Sequence, residues 1–342
     1  MKKQLRAGPP GSMALEPGLS SPLNSDDAAG PETLRPHDGR SRREFLQQLS
    51  VLPMALLAAE PAAHGGAAPA ASAKLPLIKF GKQSLSRLVC GGNPFNAGSH
   101  LSVFVNREME RYYTPEQILK TLHRCQQAGI NCWQSSGQNY ELYQRFTREG
   151  GQMHYLTLSA KPADIATVAQ AGALGIAHHG ETTDQLFKAG QLDKVQDYLK
   201  RVRDAGLMVG VSTHMPVVIE TIEAKGWEVD FYMGCVYERH RSAADLKKLL
   251  GQVPLPVGEV YLQQDPPRMF KVMRQTPKPC LAFKVLAAGR LSDRKEWVET
   301  AFREAFQSLK PNDGVIVGIY DRYSDQPGEN AEYTRRFSQG PA

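Results

Sequence analysis

The strongest constraint on the fold is a regular alternation of short β-branched runs and amphipathic helical stretches, which begins near Leu75 and continues towards the end of the chain. Apolar residues spaced three and four apart predict helices, for example over 192–205, 216–225 and 294–309. The predicted barrel strands are 88–91, 131–134, 155–160, 174–178, 208–213, 229–235, 280–286 and 314–319. Strands that alternate with helices form a parallel sheet with right-handed crossovers.

Eight such units predict that the sheet closes into a (β/α)8 TIM barrel, which is an α/β fold. Of the 342 residues, 269 follow residue 73, and a barrel of this kind typically has about 250. The stretch PLIKFGKQSL predicts an N-terminal β-hairpin ahead of the first barrel strand. The alternative is an open doubly wound sheet, which favours a Gly-x-Gly-x-x-Gly turn after its first strand. The sequence there is CGGNPFNAGSH, which lacks that turn.

Polar residues concentrate where the predicted strands end, and in a TIM barrel the functional site forms at that carboxyl rim. In chain order they are Asn93, Gln134, Lys161, His178, His179, Ser212, Thr213, His214, Cys235, Tyr237, Glu238, Phe283, Lys284 and Gly318. The stretch 237–240 is a candidate contact for a small-molecule substrate. This rim is far more polar than the strands beneath it, which predicts a site as well as a scaffold.

The first 73 residues differ from the barrel in composition. Residues 1–40 are rich in Gly, Pro, Ser and Asp without apolar periodicity, which predicts a disordered leader. Residues 41–73 begin with SRREFL, continue with an apolar run over 51–59 and end in the small residues ASA. This segment resembles a twin-arginine signal peptide. The resemblance implies a twin-arginine translocation partner and a periplasmic or otherwise exported location, and it leaves open whether the signal is cleaved.

Composition narrows the possible partners of the mature chain, 74–342. The net charge is +6, but no basic tract is interleaved with aromatic residues, so nucleic-acid binding is not expected. The apolar run at 51–59 is shorter than the ~20 residues that a membrane span needs, so we expect no integral membrane segment in the mature chain. The five cysteines form no CxxC pair, and we expect buried thiols without a disulfide framework.

The rim also resembles, at a remote level, the aldo-keto reductase superfamily, whose members are TIM barrels that move a hydride between NADP(H) and a carbonyl. Lys161 in LTLSAK matches the catalytic lysine of that family, and His179 in GIAHHG matches its catalytic histidine. Tyr140 in QSSGQNYE stands near the catalytic tyrosine, one residue late. Gln134 stands where the family has an aspartate.

The same resemblance implies a set of NADP(H)-binding residues. Ser212 and Thr213 in GVST would hold the nicotinamide amide, and Phe283 in FKVLAAG would stack on its ring. The remaining candidates are Leu286 and Gly289 for the pyrophosphate, Arg322 for the 2′-phosphate, and Glu329 and Asn330 for the adenine end. Because free NADP(H) is not expected outside the cytoplasm, an exported enzyme of this type would carry the nucleotide tightly bound or recycle it in place.

The chemistry implied by the resemblance is a tyrosine acid whose pKa is lowered by a nearby lysine. His179 would orient the substrate carbonyl, while Gln134 carries no charge to balance Lys161. The leading hypothesis is therefore an exported oxidoreductase, acting on a small carbonyl or sugar-like substrate, with a degenerate catalytic tetrad.

Two alternatives stay open. One is a non-redox sugar isomerase, epimerase or lyase, and the other is a binding protein without catalysis. The non-redox enzyme could use a metal, because His178, His179, His214 and Cys235 end neighbouring strands. Consecutive residues of a strand point to opposite sides, so only one of His178 and His179 can face the barrel axis. No metal site is assigned.

Glu181 and Asp184 are expected only to cap or precede a short helix.

Overall fold

The structure is a computed structural model that describes residues 74–136, 139–255 and 258–339, all within the Ala67–Ala342 unit of the chain. The predicted leader, 1–40, and the predicted signal peptide, 41–73, lie outside the described residues. Eight parallel strands close into a barrel in the order β10-β3-β4-β5-β6-β7-β8-β9. The barrel strands are β3 Leu88–Gly91, β4 Cys132–Ser136, β5 His154–Ser159, β6 Gly175–His178, β7 Met208–Thr213, β8 Phe231–Cys235, β9 Cys280–Phe283 and β10 Gly314–Gly318. The predicted (β/α)8 TIM barrel is confirmed.

Helices surround the barrel and pack their apolar faces against its outer side. Within the described ranges they are α1 Val103–Tyr112, α2 Pro115–Gln127, α3 Tyr140–Arg148, α4 Pro162–Gln170, α5 Gly180–Lys188, α6 Asp193–Asp204, α7 Pro216–Ala224, α8 Ala243–Leu250, α9 Asp265–Gln275, α10 Lys295–Ser308 and α11 Gln326–Ser338. None of them is both long and apolar enough to cross a membrane. The three helices predicted at 192–205, 216–225 and 294–309 agree with α6, α7 and α10 to within one residue at each end.

The predicted N-terminal hairpin is also confirmed. Strands β1 Leu77–Phe80 and β2 Gln83–Ser86 pair antiparallel, and Gly81 turns the chain between them with a positive φ of 59°. Ile78, Phe80 and Leu85 of the hairpin share one apolar cluster with inward-facing barrel residues, and the rings of Phe80 and Phe231 are 4.9 Å apart. The hairpin therefore contributes to the core inside the barrel and leaves the carboxyl rim to the strand-to-helix loops.

The seventh barrel strand is shorter than predicted. Strand β9 ends at Phe283, whereas the expected strand continued to residue 286. The next residue, Lys284, has a φ of 61°, and Ala287, Ala288 and Gly289 also have positive φ values. Left-handed residues cannot continue an extended strand, so the chain turns sharply and brings residues 284–290 over the barrel mouth. Positive φ is uncommon outside glycine and strained in L-residues, which makes this turn a functional candidate.

Candidate functional site

A buried aspartate–histidine pair lies at the rim between strands β6 and β7. His214 follows β7, and its Nδ1 lies 2.7 Å from Oδ2 of Asp184, which is in the second turn of α5. The backbone N–H of His214 also donates to Asp184, at 3.0 Å, and the hydroxyl of Thr213 donates to the other carboxylate oxygen. Each residue of the pair is 6 % exposed. The expectation that Asp184 only caps a helix is wrong, because its carboxylate is committed to the end of the next strand.

The pairing fixes which nitrogen of His214 is available for chemistry. A carboxylate only accepts hydrogen bonds, so Nδ1 of His214 carries the proton and Nε2 presents a lone pair. Burial lowers the pKa of His214, while its hydrogen bond to Asp184 acts in the opposite direction. His214 is therefore neutral near pH 7, as a general base requires.

Helix α5 begins almost directly after strand β6, which explains how Asp184 reaches His214. The helix begins at Gly180, after a connection of the single residue His179 that follows β6. A Cβ atom at Gly180 would lie 2.9 Å from Oγ of Ser212 and 3.2 Å from Cε1 of His214. A glycine at this position lets the helix pack directly against the end of β7, which brings the second helical turn over the strand.

Lys284 is a lysine without an acid partner in the barrel mouth. Within the described residues its ammonium makes no ion pair, although it lies close enough to affect the ionisation of His100, His214 and Cys235. Burial lowers the pKa of Lys284 from 10.5 to about 8, and the charges of Arg239 and Arg290 also lower it. A lysine in such surroundings is a stronger nucleophile at neutral pH than an ordinary surface lysine, because more of it is the free amine.

Cys235 ends strand β8 close to this lysine. Its thiol is fully buried, and burial raises its pKa to about 11, although the nearby charge of Lys284 acts in the opposite direction. The thiolate is the reactive form of cysteine, so Cys235 is inert at neutral pH. It forms part of the apolar wall that desolvates Lys284.

Two carboxylates organise the loops around the mouth. Glu259 pairs with Arg239 and accepts from Nδ1 of His100 at 2.9 Å, which joins the loops after β8 and β3. Glu181 pairs with His240 at 2.9 Å and with Arg239 at 3.6 Å. The ring of His240 in turn stacks on that of His214, with centroids 5.9 Å apart. The predicted contact stretch 237–240 thus borders the site, beside an open cavity of about 480 Å³.

The candidate catalytic residues of the reductase hypothesis lie on or after the neighbouring strands β4, β5 and β6. Tyr140 begins α3 and its hydroxyl lies 3.5 Å from its neighbour Glu141, while Lys161 precedes α4. No hydrogen bond or ion pair joins Tyr140 to Lys161 in the described part of the chain. Gln134 is buried and its amide donates to the carbonyl of Ser135 at 2.9 Å. His179 is exposed at the rim.

The two consecutive histidines do point to opposite sides, as predicted. His178 is buried, its Nδ1 lies 2.8 Å from the hydroxyl of Thr183, and its ring packs edge-on against Tyr198 of the outer helical layer. Burial, with the charge of His179, lowers the pKa of His178 to about 4. Among the described residues, no group of three or more His, Cys, Asp or Glu side chains is arranged to hold a metal ion. We derive no step through a metal.

The residues expected to hold a nicotinamide are partly suited to it. The hydroxyl of Ser212 is buried and has no hydrogen-bond partner among the described residues, so it could donate to a ligand amide. The hydroxyl of Thr213 is already engaged with Asp184. Phe283 is half-buried and meets His214 edge-on, with ring centroids 5.7 Å apart. Leu286 and Gly289 belong to the left-handed turn after Lys284.

The residues expected at the adenosine end fit a nucleotide poorly. Arg322 is paired with Glu108 at 2.8 Å and lies over the rings of Tyr112 and Tyr323, so a 2′-phosphate would have to displace a carboxylate. Asn330 is buried inside α11, where no adenine reaches it without a rearrangement. Glu329 accepts from the hydroxyl of Ser324 at 3.0 Å. The described residues therefore suit only the nicotinamide end of NADP(H), and we derive no hydride-transfer step.

Comparisons with known proteins add a likeness in fold. No family model and no curated protein matches the chain. A truncated 3-deoxy-D-arabino-heptulosonate 7-phosphate synthase from Thermotoga maritima is similar with a TM-score of 0.47 and 12 % identity, over 77 % of this chain and 91 % of that one. A glycerol dehydrogenase from Gluconobacter oxydans is similar with a TM-score of 0.46 and 13 % identity, over 78 % and 90 %.

A dihydropteroate synthase from Yersinia pestis is similar in the same way, with a TM-score of 0.43 and 12 % identity, over 75 % of this chain and 95 % of that one. These three proteins have three different names and activities. Likeness of this degree assigns the chain neither a family nor an activity, because one fold hosts many activities that differ in their sites.

Proposed function

We propose that this barrel is an enzyme that processes a small carbonyl compound through an imine formed with the amine of Lys284. The observation that carries the proposal is the position of that lysine: it follows a barrel strand, it is half-buried in the mouth, and it has no acid partner among the described residues. An ammonium in such a place destabilises the folded chain, and strain of this kind is typical of a functional residue.

The chemistry needs no oxidant or reductant. The free amine of Lys284 attacks the carbonyl carbon and a C–N bond forms, and the carbonyl oxygen takes up one proton from solvent and leaves as water, which gives a protonated imine. That imine accepts the electron pair of a neighbouring C–H or C–C bond as it breaks, which gives an enamine. Protonation of the enamine and hydrolysis then release product and regenerate the amine. The overall reaction is an epimerisation when the proton returns to the opposite face of the carbon. It is a carbon–carbon cleavage when the β-hydroxyl of the leaving fragment loses its proton and that fragment departs as a carbonyl compound. Both lie within the non-redox alternative.

His214 is placed to move the proton in this sequence. Asp184 holds Nδ1, so Nε2 is the free basic atom, and the ring lies within the field of Lys284. Neutral histidine accepts the α-proton as the enamine forms and returns it on the way back. Asp184 stabilises the imidazolium that results, because the carboxylate stays charged beside it.

Borohydride trapping tests the proposal. The full chain is incubated with dihydroxyacetone and sodium borohydride, which reduces an imine to a stable secondary amine, and the adduct is located by mass spectrometry of peptides. We expect one adduct, on Lys284, and its loss in Lys284→Met. Lys194→Met is the matched control, because Lys194 is an exposed helical lysine and its removal leaves the adduct in place. An adduct spread over surface lysines and unchanged in Lys284→Met would refute the proposal.

Hydride transfer with NADP(H) is the second candidate, and the buried, unpartnered hydroxyl of Ser212 supports it. A captive nucleotide would be released when the purified chain is denatured, and chromatography with detection at 260 and 340 nm would identify it. Titration with NADPH, followed by its fluorescence, tests binding of added cofactor. Tight binding that is lost in Ser212→Ala, together with turnover that is lost in Tyr140→Phe, would favour this candidate over the imine.

We also propose that the chain is exported by the twin-arginine machinery. The support is the SRREFL motif with its apolar run and small-residue end, all within 41–73. The test is a fusion of residues 1–73 to a reporter protein that has to fold in the cytoplasm before it can be exported. Export should be lost when Arg42 and Arg43 are both replaced by lysine. Unchanged export of the double variant would refute export by the twin-arginine machinery.

A further inference from the structure

Two cationic side chains of the barrel mouth, Lys284 and Arg290, stand outside the ion pairs that the structure describes there. Three carboxylates beside them are already committed: Asp184 to His214, and Glu181 and Glu259 to Arg239 and the neighbouring histidines. Lys284 and Arg290 have no carboxylate partner among the described residues. Burial lowers the pKa of His100 most, and the charges of Lys284 and Arg290 lower it further. Both cations therefore lie near the same histidine.

Arg290 is held in one orientation without being neutralised. Its Nη2 donates to the carbonyl of His100 at 3.0 Å and its Nη1 donates to the carbonyl of Ala287 at 3.2 Å. One face of the guanidinium lies on the ring of Tyr261, 4.1 Å from the centroid. A guanidinium has five N–H groups. Two are used here, so the other three and the full charge remain for a ligand.

The left-handed turn after β9 brings this guanidinium to Lys284. The N–H of Ala287 donates to the carbonyl of Lys284 at 2.7 Å, and the N–H of Arg290 donates to the carbonyl of Ala287 at 3.3 Å. These bonds fold residues 284–290 back on themselves and bring Arg290 near Lys284. Burial lowers the pKa of Lys284 most, and the charge of Arg290 lowers it further. A strained turn that places a fixed guanidinium beside a half-buried amine is costly unless both contact the same ligand.

We infer that the carbonyl compound bound at Lys284 carries an oxyanion, a carboxylate or a phosphate, and that Arg290 binds that oxyanion. This inference rests on the proposed imine chemistry and specifies its substrate class. A planar guanidinium pairs with either oxyanion through two parallel hydrogen bonds. The pair would anchor the anionic end of the substrate and orient its carbonyl carbon towards Lys284.

The unpaired charges of Lys284 and Arg290 also favour the arrival of such a substrate. Charges of one sign that line a concave, partly dry surface attract ligands of the opposite sign and raise their association rate. Neutral sugars gain nothing from this field. The inference therefore predicts selectivity by charge before any fit of shape is considered.

The test compares three probes in the trapping reaction: pyruvate, dihydroxyacetone phosphate and neutral dihydroxyacetone. The reactions are run at about pH 9.5, where Lys284 is mainly the free amine in every variant, so that loss of the Arg290 charge does not change its protonation. Each probe is used well below saturation, and the initial rate of adduct formation on Lys284 is measured. The variants are Arg290→Met and Arg290→Lys, with Arg111→Met as the control at an exposed arginine of α1.

We expect at least one anionic probe to label Lys284 about tenfold faster than dihydroxyacetone, because a charge-assisted pair has roughly that effect on binding. Arg290→Met should remove this advantage and leave the rate with dihydroxyacetone within about threefold. Arg290→Lys should keep part of it, since the charge stays and the planar fork is lost. Faster labelling by pyruvate identifies a carboxylate, and faster labelling by dihydroxyacetone phosphate identifies a phosphate.

Failure of the oxyanion inference is distinguishable from failure of the imine proposal. Equal labelling by neutral and anionic probes, unchanged in Arg290→Met, overturns the oxyanion inference and leaves the imine proposal standing. No labelling of Lys284 by any probe overturns the imine proposal and the inference with it. Labelling by dihydroxyacetone in Arg290→Met shows that this variant is folded.

Discussion

Replacement of Lys284 by methionine should stabilise the protein while it abolishes imine formation. Methionine keeps most of the side-chain volume and removes a charge that burial disfavours. The pKa of Lys284 is lowered from 10.5 to about 8, which corresponds to roughly 3 kcal/mol of destabilisation of the folded state at pH values below 8. Because the new side chain packs imperfectly, we expect the free energy of unfolding to rise by about 1–3 kcal/mol at pH 7.

The sign of the pH dependence follows from proton uptake. Between about pH 8 and 10.5 the unfolded chain binds the lysine proton and the folded chain does not, so the folded wild type becomes relatively more stable as the pH rises. The advantage of Lys284→Met should therefore be full at pH 7, about half at pH 9.5, and absent above 10.5. Equilibrium urea unfolding at these three pH values, followed by tryptophan fluorescence, measures it.

Lys310→Met is the matched control, and its effect should have the opposite sign. The ammonium of Lys310 lies 3.0 Å from Oδ2 of the fully buried carboxylate of Asp313, so its removal leaves a buried charge without its partner. We expect a loss of about 3 kcal/mol. If Lys284→Met destabilises the protein as Lys310→Met does, Lys284 has an acid partner in solution and the argument for a nucleophilic amine is refuted.

Three further predictions concern other parts of the molecule. Asp184→Asn should slow the exchange of pyruvate methyl protons for deuterium, followed by NMR, by about 10²–10⁴-fold, while borohydride trapping on Lys284 persists; equal loss of trapping would contradict its role in proton transfer. Arg87→Met should cost about 3 kcal/mol in urea unfolding, because Arg87 donates to the carbonyls of Lys310, Asp313 and Ser338; unchanged stability would argue against this clamp. The five free cysteines are all buried, so a thiol reagent such as Ellman's should label none in the native state and five after denaturation, and a fast native reaction would contradict the packing.

The scaffold was predictable from the sequence because its signal is periodic and repeated. The first barrel strand and the strand at 208–213 agree with β3 and β7 at both ends, since short apolar runs bounded by turn residues mark them. The rim residues could also be found, because their positions follow from the strand ends. Lys284 was among them by position alone, without a role, and His214 only as a possible metal ligand.

Two features of the site could not be predicted, for separate physical reasons. Asp184 lies within a helix, and its partner is 30 residues away, so no local pattern distinguishes it from a surface aspartate. The positive φ values at Lys284, Ala287 and Ala288 occur at residues that ordinarily avoid that region. Local propensity therefore predicts a continued strand there, and only tertiary contacts at the barrel mouth override it.

The catalytic tyrosine and lysine of the reductase hypothesis lie opposite the lysine of the imine hypothesis, and this follows from the strand order. Tyr140 and Lys161 follow β4 and β5, whereas His214 and Lys284 follow β7 and β9. In the closed order, β5 and β9 are separated by three strands in either direction, so they lie across the barrel axis from each other. A small substrate that forms an imine with Lys284 is thus on the far side of the mouth from Lys161. Variants at the two lysines should therefore act independently on trapping, and a Lys161→Met variant that abolishes the adduct would place the carbonyl on the reductase side instead.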